Sequence, residues 1–101
     1  MFITFISMAK AGKYSMTIQD LKKEVTEIND EMLRLFIRHL EIVKEIGEVK
    51  KAEGKTIYDR KAEEEILEKA AANSPQDMQN YSIEFFRSMI NLGKEYFKDV
   101  K

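Results

Sequence analysis

The sequence predicts an all-α chain of three helices, the first of them very long. Three observations carry this. Apolar residues recur at helical spacing through most of the chain, two short breaks hold turn and cap residues, and no segment alternates as a strand does. The composition agrees: of 101 residues, 44% are hydrophobic and 35% charged, the balance of a helix-rich domain with a well-solvated outside.

The first helix is read from Ile18, Leu21, Val25, Ile28, Met32, Leu35, His39, Ile42, Ile46 and Val49. Their spacing alternates three and four, which is a heptad seam. Thr17 is placed to cap the start, and no proline interrupts the run before Gly54. The result is one helix of more than about thirty residues, far beyond the usual globular length. Two short helices of the same chain cannot cover it, so it is expected to pack against another copy of itself. Gly47 costs such a helix ~1 kcal/mol relative to alanine. Its presence predicts a close helix crossing or the approach of a ligand.

The break "AEGKTIYD" stops the first helix at Gly54. Thr56-x-x-Asp59 has the form of a capping box, which makes Asp59 an early residue of the second helix. That helix is predicted to run to about Asn73, with Ala62, Ile66, Leu67 and Ala70 on one side. In the second break, "NSPQD", Ser74 is expected as N-cap, Pro75 as the first helical residue, and Asp77 near the positive end of the third helix. The third helix is expected to bury Met78, Tyr81, Phe85, Met89 and Tyr96, with Phe86, Ile90, Gly93 and Phe97 beside them.

Residues 1–16 are expected to form a disordered or loosely packed extension ahead of a helical domain over 17–101, with Met8 or Met16 as alternative starts. The apolar run from Met1 to Ile6 is too short for a secretory core and has no positive segment before it. No stretch approaches the length of a membrane span. The cytoplasm is the expected location, with no membrane partner.

Seventeen basic and eighteen acidic residues leave a formal charge of −1, which argues against a general nucleic-acid binder. The absence of cysteine excludes disulfides, thiol catalysis and thiolate zinc sites. With His39 as the single histidine, no metal site built from protein ligands is expected. The sequence also lacks a Gly-rich phosphate loop, a serine nucleophile motif and a paired-histidine metal motif.

A few residues stand out as candidates for chemistry. Lys50 follows His39 by three helical turns, so both leave the first helix from nearly the same side. His39 reads first as an enclosed core histidine bonded to a neighbour. Its functional reading is a donor aimed into an interhelical cavity, with protonation near neutral pH tuning ligand binding. Asp59 and Glu63 share a face of the second helix. On pattern alone they read first as charge favoured by the positive end of that helix.

The segment "LKKEVTEINDEMLRLFIRHLEIVKEIGEVKKAEGKTIYDRKAEEEIL" resembles the all-α chorismate mutase family, and the similarity extends over roughly Ile18 to Phe97. Its most specific part is "IGEVKK…G…IYD…E". The resemblance implies an intertwined homodimer of three-helix chains and conversion of the dicarboxylate chorismate to prephenate in aromatic amino acid biosynthesis. That reaction is a pericyclic rearrangement that needs no cofactor, only a compact substrate conformer and positive donors at the breaking ether bond. By the same resemblance the catalytic positions are Lys50, at the ether oxygen, and Glu63. The substrate-binding positions are Lys22, His39, Asp59, Gly93 and Phe97, with Asp59 and Glu63 near the ring hydroxyl.

This sequence departs from the family at several of these places. Lys22 and His39 stand where arginines are expected, Lys22 reaching into the partner's site. Ala62 stands where a further arginine is frequent. Gly93 and Phe97 stand for a small polar residue and for a glutamine or glutamate. Arg38, Arg60, Lys61, Arg87 or Lys94 are the cations that a small shift in register would bring in as replacements. The alternatives are a related isochorismate or aminodeoxychorismate enzyme, or a catalytically weakened helical dimer that binds a metabolite or regulates a partner.

Overall fold

The computed structural model describes residues 16–100, with side chains to residue 98. It contains α1 (Ile18–Ala52), α2 (Arg60–Ala72) and α3 (Gln79–Val100), with a 3-10 turn over Gln76–Met78 leading into α3. No strand occurs among the described residues. All but Met16 of the expected N-terminal extension lies outside them. The chain divides into two compact units, Met1–Ile37 and Arg38–Lys101, and α1 contributes residues to both.

In the first unit, Thr17 and Asp20 form a reciprocal capping box. The Asp20 N–H donates to Thr17 Oγ1 at 3.1 Å, and the Thr17 N–H donates to Asp20 Oδ2 at 3.0 Å, which satisfies two donors that the helix start leaves over. The seam residues Ile18, Leu21, Val25, Ile28, Met32 and Leu35 are all exposed. On the polar side, Arg34 hydrogen-bonds Glu31 and holds its carboxyl below the usual carboxylate range, while its own guanidinium is raised.

In the second unit, α1 ends as its sequence requires. Gly54 takes φ +71°, a conformation that costs glycine nothing. The Gly54 N–H donates to the Lys51 carbonyl at 3.1 Å and the Lys55 N–H to the Lys50 carbonyl at 2.8 Å. These are the two closing bonds of a Schellman motif. The next helix starts three residues later than the Thr56 box implied. Asp59 is the N-cap itself, in extended conformation, and its Oδ1 accepts the Ala62 N–H at 3.0 Å. An aspartate directly before a helical run caps it without help from a threonine three residues back.

Ser74 is likewise not an N-cap. Its hydroxyl lies 2.7 Å from both the Ala70 carbonyl oxygen and the Ser82 hydroxyl. Asn73 Nδ2 donates to the Lys69 carbonyl at 2.9 Å and Gln79 Nε2 to the Ala71 carbonyl at 3.0 Å. Three carbonyls that the end of α2 leaves over are thus satisfied by the turn and by the start of α3. With Ser74 committed backwards, Pro75 stays outside the helix at ψ 150° and α3 is entered through the 3-10 turn.

The rotation of α3 also differs from the expected stripe. Met78, Tyr81 and Phe85 are exposed, and the inward face runs through Ser82, Ile83, Phe86, Met89, Ile90, Gly93 and Phe97. The cause is the crossing with α1. A Cβ built on Gly47 would lie 2.6 Å from Cε1 of Phe97, so the ring occupies the space a side chain would take. Val43 Cγ1 meets Gly93 in the same way, with 3.4 Å to a Cβ built there. Phe97 is 5% exposed. The two contacts advance together along both helices, so the last turns of α1 and α3 run in the same direction. Gly47 marks a close helix crossing, one of the two roles its position predicted.

The two glycines should respond to alanine with opposite sign. Gly93→Ala gains helix propensity at an ordinary contact distance, and stability in urea unfolding should hold or rise by up to about 1 kcal/mol. Gly47→Ala drives a methyl into a buried ring and should lose about 1 kcal/mol or more despite the same propensity gain. The loss should vanish in a Phe97→Leu background. If both alanines stabilise the native chain, the ring does not rest on Gly47.

Candidate functional site

The first turn of α2 gathers charge from all three helices. Asp59 uses Oδ1 to cap α2, and its Oδ2 lies 4.0 Å from Lys50 Nζ, which comes from the end of α1. That separation is an ion pair without a hydrogen bond, so Asp59 positions the ammonium but does not take up its donors. Lys50 is the more enclosed partner, its side chain 27% exposed against 51% for Asp59.

One turn further along α2, Glu63 is engaged by α3. Lys94 Nζ is 3.1 Å from each carboxylate oxygen of Glu63. The ammonium also lies 5.1 Å from the centroid of the Tyr58 ring, within cation–π range. Both side chains of this pair are about two-thirds enclosed. Asp59 and Glu63 sit four residues apart, about 6 Å along the helix. Consecutive turns of α2 therefore hold one lysine from α1 and one from α3.

The lysines open onto different surface hollows. Lys50 lines a hollow of about 410 Å³ with Ile42, Ile46 and Val49 of α1. Lys94 lines one of about 360 Å³ with Tyr58, Asn91, Glu95 and Lys98. The resemblance implies that Lys50, Asp59 and Glu63 meet one substrate. Within one chain these residues and Lys94 form two ion pairs side by side, with Glu63 bonded to Lys94 and not to Lys50.

The remaining positions fall as follows. His39 is half-buried, and its Nδ1 is buried with no protein hydrogen-bond partner, so the expected bond to a neighbour is not made there. Gly93 and Phe97 form the α1–α3 crossing. Lys22 is an exposed residue of the first unit. Of the proposed replacement cations, Arg38, Arg60 and Arg87 pair with Glu41, Glu64 and Glu84 on their own helix surfaces, and Lys61 is exposed. Lys94 is the cation among the five that meets Glu63. No local pattern singled it out, because its partner is 31 residues away in sequence.

Among the described residues, no helix is long and apolar enough to cross a membrane. Neither a curated protein nor a solved structure matches the chain. The profile described as chorismate mutase type II matches residues 21–98, an interval that takes in α1 from Leu21, all of α2, and α3 through Lys98. This match covers most of the sequence and includes Lys50, Asp59, Glu63 and Lys94. The chain belongs to the chorismate mutase type II family.

Proposed function

We propose that the chain is a chorismate mutase that converts chorismate to prephenate in the cytoplasm, as a homodimer. The observation that carries this reading is the position of Lys50 in a chain of this family. It is a half-enclosed ammonium beside a hollow, oriented by Asp59 at 4.0 Å but not hydrogen-bonded to it. Negative charge develops on the ether oxygen as the bond breaks, and a fixed donor there lowers the barrier. Lys50 supplies that donor. Asp59 and Glu63 bind the ring hydroxyl side, and the enclosing helices hold the substrate compact.

Charge counting supports the dimer. Lys50 and Lys94 against Asp59 and Glu63 sum to zero, whereas the substrate brings two carboxylates. A surplus cation has to come from elsewhere. Lys22 of a second copy supplies it, and His39 offers a further ring nitrogen. The exposed seam of α1 supports the same assembly. A side chain of the size of Leu, Ile or Val contributes about 1.5–3 kcal/mol when fully buried, and the described residues of a single chain leave most of that seam uncovered.

A second reading is a metabolite-binding dimer without appreciable turnover. It is favoured by Phe97, which stands at the place of an ether-oxygen donor and packs its ring on Gly47. The two readings separate in one assay. Full-length protein mixed with chorismate should consume it faster than buffer does, with prephenate as product, and Lys50→Gln should lower kcat by about 10²–10³. Binding of a cyclic dicarboxylate without any acceleration would leave the second reading standing and remove the first.

The assembly has its own test. Light scattering of the native chain should give the mass of two copies, and Val25→Glu, which puts a charge on the exposed seam, should give the mass of one. A native monomer at micromolar concentration would remove the dimer.

A further inference from the structure

Among the described residues, two ion pairs join different elements of the chain: Lys50 with Asp59, and Lys94 with Glu63. The others link residues no more than four positions apart. The pair with Glu63 is the tighter of the two. Its ammonium is equidistant from both carboxylate oxygens, and the Tyr58 ring lies on another side of it. Lys94 and Glu63 nevertheless keep 33% and 28% of their side-chain surface exposed, and Lys94 also lines the neighbouring hollow, so a ligand lying against the pair reaches both.

We propose that Lys94 is a specificity-determining residue: with Glu63 it forms a donor–acceptor pair that selects a ring hydroxyl over a ring amine. This rests on the reading above, in which Glu63 meets the substituted ring of a chorismate-type dicarboxylate. A hydroxyl carries one O–H donor and two acceptor lone pairs. It donates to a Glu63 oxygen and accepts from the Lys94 ammonium, joining the pair without breaking it. An amine at the same ring position is protonated near neutral pH and has donors only. It satisfies Glu63, but it meets Lys94 as a like charge in a half-enclosed place where solvent screening is weak.

A carboxylate alone would not discriminate this way. Without Lys94, Glu63 is an uncompensated acceptor and attracts the ammonium more strongly than the hydroxyl. Lys94 therefore sets the sign of the preference, and Asp59, already committed to capping α2 and facing Lys50, does not replace it.

The test compares native protein, Lys94→Met and Lys94→Arg in kcat/KM for chorismate and for aminodeoxychorismate. The native chain should prefer the hydroxyl compound by about tenfold or more, and Lys94→Met should move the ratio toward the amine by at least about tenfold. Lys94→Arg keeps the charge and should retain the native ratio. A lysine that only braces the fold would lower both substrates together, and an unchanged ratio in Lys94→Met overturns the proposal. If neither compound is converted, the catalytic reading above fails, and the same ratio is read from calorimetric dissociation constants. A Lys94-dependent ratio there upholds the selection, while an unchanged ratio, or no binding of either compound, overturns it.

Discussion

The contact between Gly47 and Phe97 is the constraint on which the rest of the second unit depends. An aromatic ring 2.6 Å from where a Cβ would stand leaves one rotation of α3 about its axis. That rotation turns Gly93 and Ile90 inward and leaves Tyr81 and Phe85 exposed. Lys94 follows Gly93 by one residue and precedes Phe97 by three, so it stands at the edge of the buried face and not on its far side. From that edge its four-carbon stem reaches Glu63. A larger residue at 47 would shift the ring and, through the rigid helix, the ammonium as well.

The helix class and the α1–α2 junction follow from local chemistry, and both could be read in the sequence. Heptad spacing, a threonine ahead of an apolar run, and a glycine at a helix end each act over a few residues, and each marks an element edge here. The cap of α2 was expected three positions early because Thr56 and Asp59 are both cap-forming residues, and only the backbone decides which side chain meets the free N–H. Ser74 was misread for a related reason. A serine between two helices has two sets of unsatisfied groups to choose from, and it bonds the carbonyls behind it.

The rotation of α3 was not readable, because its aromatic residues are spread over two faces. Met78, Tyr81 and Phe85 form as good a stripe on paper as Ser82, Phe86, Ile90 and Phe97. The choice is made by the small residues at the crossing, Gly47 on α1 and Gly93 on α3, which admit close approach on one face alone. The candidate site shows the same limit. Lys50, Asp59 and Glu63 were picked out through the family resemblance, since on pattern alone the two acids read as helix-start charge. Lys94 was one cation among several until the fold brought it across 31 residues to Glu63.

Electrostatics then constrains what the site is for. A cluster of two lysines and two acids has no surplus charge with which to hold a dianion, but it is well suited to orient a neutral polar group between an acceptor and a donor. In the proposed reading, recognition therefore divides between the chains. The cluster on α2 reads the ring substituent, and the substrate carboxylates rely on charge brought by the second copy. The same partner would cover the apolar seam of α1, whose exposure is costly in water. Covering the seam and completing the site would then be one event, so a chain held as a monomer would lose dianion affinity before it lost its preference for the ring substituent.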